Sequence, residues 1–263
     1  MNTSRLMHDP LPWFTALLVF FVFGMDALRP VFAAVFPELD RPVFTQDSFP
    51  ALTAAHLQLV AISSAVAIIV GVGIGIFVTR PAGREFRPML ERVVAIGQTF
   101  PPVAVLAVAA PVLGFGEWPA LIALALYGLL PIVQSTVAGI ESVPGSAREA
   151  AEGLGMSAAR ILRRIELPLA MPVIIAGIRT SVIINIGTAA LASTVGAKSL
   201  GTPIIVGLAG FNTAYIIQGA IVVGLLAILV DLGFDRLLRF LDRWRESETR
   251  DSSSRAARVP HTP

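Results

Sequence analysis

A chain of 263 residues that is 55% hydrophobic and only 14% charged, with a mean hydropathy of +0.75, excludes an ordinary soluble domain and describes a polytopic α-helical membrane protein. The lack of any cysteine excludes disulfides, thiolate nucleophiles and thiolate metal sites, and His8, His56 and His261 are too scattered to act as paired metal ligands. A pI near 9.6 does not point to nucleic acid, because the arginines gather at span ends instead of forming a stripe with interleaved aromatics.

The first apolar run, residues 11 to about 36, opens with Trp13 and is interrupted by Asp26, Arg29 and Pro30. It is long, carries its charges inside and shows no clean small-residue cleavage site, so a transmembrane helix is expected in preference to a secretory leader. Residues 37–50 read as a loop rich in proline and acid. In the second span, residues 52–78, Gly71 and Gly75 stand four apart, the spacing that lets membrane helices approach closely. A basic connector with Arg80, Arg84, Arg87 and Arg92 leads to a third span, residues 93–113, broken by Pro101-Pro102 just after Gln98 and Thr99. Two prolines inside a span free backbone carbonyls that need partners, which predicts a kinked helix packed in protein rather than facing lipid. After a turn at 114–119, the fourth span, residues 120–140, carries Pro131, Gln134 and Ser135.

A polar island over residues 141–168 follows. Ser146 with Glu149 three residues later has the form of a capping box. Ala147, Ala150, Ala151 and Leu154 share one small apolar face at helical spacing, and Gly155 sits where a left-handed C-cap would end the helix. Ser157 can cap a second helix through Arg160, Ile161, Arg164 and Ile165, with Leu167-Pro168 expected to terminate it. The predicted product is a compact docking knob. The fifth span, from about Pro172 to 195, places Thr180, Ser181, Ile184, Asn185, Thr188 and Ala192 on one stripe. Interhelical hydrogen bonding and lining of a solute path both account for it. A glycine-punctuated segment, 196–212, precedes the sixth span, 213–234, and the tail at 244–263, with its serine run, is expected to be disordered.

Lysine and arginine counts set the expected orientation. The 79–92 connector has four, the 141–168 loop four and the segment from Arg236 onward seven, whereas 37–50 has one, 114–119 none and 196–212 only Lys198. These alternate in step with six spans and place both termini and the Glu149 loop in the cytoplasm, with Trp13, Trp118 and Trp244 at span ends. Away from their ends, spans two to five read as free of ionisable residues, which weakens an ion-coupled carrier. No P-loop occurs, since Gly196-Ala197-Lys198-Ser199 lacks the upstream glycine. Energy is therefore expected from a partner that docks on the cytoplasmic side.

Glu149-Ala150-Ala151, Gly155 six positions after Glu149, and Ile165-Glu166-Leu167-Pro168 resemble the coupling loop, or EAA loop, of ABC importer permease subunits. The resemblance covers about 52–239. His56-Leu57-Gln58-Leu59-Val60, Gly177-Ile178-Arg179-Thr180 and Ile184-Asn185-Ile186-Gly187-Thr188-Ala189 look like the glycine betaine, choline and carnitine branch. That branch commonly continues Gly-Ala-Gly-Gly-Leu-Gly; here Gly196-Ala197-Lys198-Ser199-Leu200-Gly201 departs from it. The resemblance implies an all-α, type I importer bundle of about six spans in a bacterial cytoplasmic (inner) membrane, with a permease core over 51–243. It implies no enzyme activity, cofactor or metal. Its implied partners are two cytoplasmic ATPase subunits, an extracytoplasmic solute-binding protein, a second permease subunit and membrane lipid, but no nucleic acid. By position, Glu149, Ala150, Ala151 and Leu154 would enter the ATPase groove, Gly155 would allow the turn, and Ile165, Leu167 and Pro168 would anchor the knob. Gln98, Thr99, Gln134, Asn185 and Thr188 would line a path for glycine betaine- or choline-type quaternary ammonium osmoprotectants. Tyr127 and Tyr215 are too few and too dispersed for an aromatic cage. Alternatives are an importer of an amino acid, sulfonate or oxyanion, an ion-coupled carrier, or a membrane scaffold without transport.

Overall fold

The computed structural model describes residues 9–256, with side chains as far as Phe240, and among these residues every regular element is helical. The first span is α1 (Pro10–Gly24), a 3-10 turn (Met25–Leu28) and α2 (Arg29–Val35), a 26-residue apolar rod. Asp9 caps it by accepting a hydrogen bond from the Leu11 amide at 3.2 Å. Asp26 and Arg29 are both exposed, with no ion pair between them. A loop leads to α3 (Phe49–Val78), capped by Ser48, which accepts from the Ala51 amide, and entered through Pro50 in the first turn, where a missing N–H costs nothing.

The third apolar run is two helices, α4 (Arg87–Thr99) and α5 (Pro102–Leu113), meeting at 93°. The expected kink is thus a full corner. Pro101 and Pro102 in succession remove two adjacent donors and fix two φ angles, so no helical register survives across them. The Tyr127 hydroxyl donates to the Phe100 carbonyl, a group that the break would leave bare, and Gln98 donates at 2.6 Å to the Tyr127 carbonyl, which Pro131 four residues on leaves without a helical donor. α5 is not wrapped in protein as expected: it buries Leu106 and Ala110 and leaves Val103, Val108 and Val112 exposed.

The bundle centre is α6 (Glu117–Glu141), lying against both α3 and a long helix that runs from residue 158 to 195. Close approach is made possible by glycine, as the spacing predicts. A Cβ on Gly75 would come within 2.5 Å of Thr136, and one on Gly71 within 2.8 Å of Ile132.

That long helix is built of α8 (Ala158–Ile161), a π-turn (Leu162–Glu166), α9 (Leu167–Ala189) and a 3-10 turn (Ala190–Val195). Leu167-Pro168 therefore does not end the second helix of the polar island. Pro168 lacks the N–H that an α-turn would require, and the wider π-turn just before it absorbs the defect without breaking the rod. Beyond lie α10 (Thr202–Ala209) and α11 (Thr213–Ala256), which packs on α9 and α10 and carries α1 on its other side. α11 outruns the expected sixth span. Residues 244–256 of the tail expected to be disordered are helical. The remaining tail, and the Trp244 side chain, lie outside the described residues.

At the end of the bundle opposite the polar island, Gln218, fully buried, holds the 37–48 loop by donating to the Pro42 carbonyl at 2.6 Å and accepting from the Phe44 amide at 3.0 Å. His56 is equally buried and accepts from the Leu200 amide at Nδ1, which makes Nε2 the donor to the Ile186 carbonyl at 3.0 Å. It thereby joins α3, α9 and the 196–201 segment. Lys198, the departure in that segment, is ion-paired with Asp47 at 2.7 Å.

Candidate functional site

The polar island opens with α7 (Gly145–Gly153). Pro144, at ψ 133°, takes the N-cap position and no side chain caps the helix. Ser146 falls inside the first turn, so the capping box with Glu149 does not form. The C-terminus follows the sequence expectation. Gly155 adopts φ +72°, its amide donates to Glu152 O at 2.8 Å, and the Met156 amide donates to Ala151 O at 3.1 Å. This is the paired closure of a Schellman motif, and a side chain at that left-handed position would be strained.

The expected docking face divides. Glu149 and Ala150 are exposed and Leu154 is 82% exposed, whereas Ala151 is 3% exposed and faces the bundle. The outward stripe is thus Ala150 and Leu154 beside Glu149, and Ala151 belongs to the seat under the knob. Of the expected anchors, Leu167 packs on Ile140, Ala170 and Ile174, Ile165 is half-buried and Pro168 is exposed.

Beneath the knob lies an ionic cluster that sequence reasoning missed. Glu166, the last residue of the π-turn, is 3% exposed. Its Oε1 accepts from Arg148 Nε of α7 at 2.7 Å, and Oε2 lies 2.7 Å from the guanidinium of Arg80, just past α3. Arg148 also donates to the Ile140 carbonyl at the end of α6. A cavity of about 450 Å³ opens beside these groups, lined also by Arg84, Arg87 and Glu141. Arg87 in this lining pairs with Glu141 and, at 2.8 Å, with Glu91. A carboxylate one residue before Leu-Pro, with arginines in both flanking connectors, was the available signal.

The residues expected along a path fall into two groups. Gln98 and Thr99 lie at the α4 corner, Thr99 donating to Ile96 O at 2.7 Å. Gln134 is exposed on α6, as are Ile122 and Leu126. These two line an apolar cleft of about 650 Å³ against Val105, Val108 and Val112 of α5. Asn185 departs from this set. It is fully buried and donates to Ser64 Oγ at 3.1 Å, so the interhelical role holds in this conformation. Thr188 is half-buried. The spans also hold ionisable groups that the sequence reading passed over: besides His56, Arg179 of α9 is paired with Asp231 of α11 at 2.6 Å. Arg179 also lies 3.5 Å from Asp235, so its guanidinium, which does not titrate, engages two carboxylates of α11.

With this geometry in hand, comparisons assign the family. Residues 71–247 match the family described as "Binding-protein-dependent transport system inner membrane component". The osmoprotectant import permease protein OsmY of Salmonella typhimurium is 44% identical over 176 residues, 67% of this chain and 75% of that one. The choline transport system permease protein OpuBB of Bacillus subtilis is 42% identical over 179 residues, 68% of this chain and 82% of that one. In fold, the chain is similar to the MetNI methionine ABC transporter in its inward-facing conformations, with a TM-score of 0.64 at 22% identity over 71% of this chain and 93% of that one. Outward-facing apolar helices, a short polar knob and these matches converge: the chain belongs to the binding-protein-dependent transport system inner membrane components, and is a multi-pass ABC importer permease of the type I fold, not an enzyme.

Proposed function

We propose that this permease moves quaternary ammonium osmoprotectants of the glycine betaine and choline type into the cell, as one half of a permease pair driven by cytoplasmic ATPase subunits and supplied by an extracytoplasmic solute-binding protein. The observation that carries the coupling is the α7 knob, a helix closed by Gly155 that holds Leu154 82% exposed at its tip. An apolar side chain that bare on a polar loop suits a groove in a partner. Arg80, Arg84 and Arg87 line the same cavity as Arg148 and Glu152 of α7, which supports a cytoplasmic position for the knob, and the arginine counts support the same side for both termini.

The solute class rests on the likeness, above 40% identity, to permeases named for osmoprotectants and choline. The Lys198 departure does not weaken it, because that side chain is engaged with Asp47 as a loop fastening. Gln98, Thr99 and Gln134 serve the path, with the apolar α5–α6 cleft turned towards the second permease subunit. A bare Gln134 in mid-span would be costly against lipid and is not costly against water or a polar partner.

The test is uptake by proteoliposomes holding the permease with its ATPase and binding protein. Labelled glycine betaine, choline and carnitine should accumulate only with ATP on the ATPase side. Accumulation of methionine or a sulfonate instead would replace the solute class, and accumulation on an ion gradient without ATP would replace the mechanism.

A further inference from the structure

We propose that Glu166 is a positioning residue for energy coupling, the rigid link through which displacement of α7 reaches α3 and α9 together. The inference rests on the reading of α7 as the ATPase-docking helix and names the internal route that reading leaves open.

The backbone alone offers α7 a poor lever. After Gly153 the chain leaves the helix through a turn at 154–157 before α8 begins, so a push on the knob would be lost in that turn. The stiff connection is made by side chains. Arg148, in the middle of α7, is held at 2.7 Å by Glu166 Oε1, and Glu166 belongs to the same continuous rod as α9. Arg80 reaches the other carboxylate oxygen from the end of α3, again at 2.7 Å. One carboxylate, 3% exposed, thus ties three segments that are remote in sequence.

The local backbone is shaped to put it there. The π-turn over Leu162–Glu166 adds about one residue to the helical register, a rotation of roughly 100°, and Glu166 comes at its inward-facing end. The Arg148 arm is a charge-assisted hydrogen bond and the Arg80 arm an ion pair, and breaking one leaves the buried carboxylate with a single cation, so the link resists opening while the knob moves. Ala151, buried under the knob, and the Arg148 bond to Ile140 O keep α7 from rolling on its seat.

The experiment uses the complete transporter in proteoliposomes and reads solute moved per ATP hydrolysed, together with copurification of the ATPase. Glu166→Gln and Arg80→Gln should keep the ATPase bound while transport per ATP falls by at least about fivefold; Glu166→Asp, which keeps the charge, should recover part of the ratio. Arg80→Gln carries the test if Glu166→Gln fails to accumulate, because Glu166 then still has Arg148. An unchanged ratio in Arg80→Gln, with the ATPase bound, overturns the link. Leu154→Asp separates this from the underlying reading: it should release the ATPase whether or not the link exists, and retention of the ATPase by that variant overturns the docking assignment itself.

Discussion

At the residue scale, the protein spends its smallest side chains where helices touch and its polar ones where segments must be joined. Gly75 and Gly73 make the contrast measurable. A Cβ at Gly75 would stand 2.5 Å from Thr136, while one at Gly73 would meet nothing within 4 Å. Gly75→Val is therefore expected to force α3 and α6 apart and cost about 1–3 kcal/mol, seen as a lower unfolding temperature of the detergent-solubilised protein. Gly73→Val should leave that temperature within error. Equal losses at both sites would mean that the packing seam is misplaced. The four-residue glycine spacing was legible because it is a local pattern with one physical use. Asn185 was legible only as a polar group on an apolar helix. Whether it met water or Ser64 depended on the rotation of α9 against α3, a long-range quantity that no local pattern encodes.

At the element scale, the two prolines at the α4–α5 corner and the one after the π-turn show the same defect resolved in two ways. At 101–102 the helix stops and turns by 93°; at Pro168 it widens and continues. The difference lies in what can compensate. Tyr127 supplies a partner to Phe100 O at the corner, whereas a single missing donor in the rod needs only one wider turn. Tyr127→Phe removes the hydroxyl that serves Phe100 O and should destabilise the fold by about 1–3 kcal/mol, the cost of a poorly solvated carbonyl. Its measurement is again the unfolding temperature, with faster hydrogen exchange confined to 98–104 as the local sign. No change in either would show that the carbonyl is satisfied without Tyr127. The sequence revealed that something must happen at both prolines. It could not reveal which, because the groups around a proline find partners far along the chain, as Glu166 does with arginines 18 and 86 positions away.

At the scale of the whole molecule, the number and order of spans and the Gly155-closed knob were legible, since hydropathy and glycine punctuation act over short windows. The faces of those spans were not. The geometry adds an argument for sidedness that charge counting lacks. Arg236 of α11 pairs with Asp9 ahead of α1, and Arg87 with Glu141 ties the start of α4 to the α7 end. The Gly116 amide donates to Val195 O at 2.8 Å and fastens the end of α5 to the opposite side. Taken as one broken span, the cornered α4–α5 pair is the sixth crossing beside five helices long and apolar enough to cross a membrane. Because the chain contains no cysteine, this arrangement can be mapped on the native background with single substitutions. Ala150 is exposed on the knob, and Phe211, 90% exposed with φ +54°, marks the other end. In intact cells a membrane-impermeant maleimide should label Phe211→Cys and spare Ala150→Cys, and permeabilisation should open Ala150→Cys to the reagent. Labelling of Ala150→Cys without permeabilisation would put the knob outside the cell, where no ATP-hydrolysing partner could reach it.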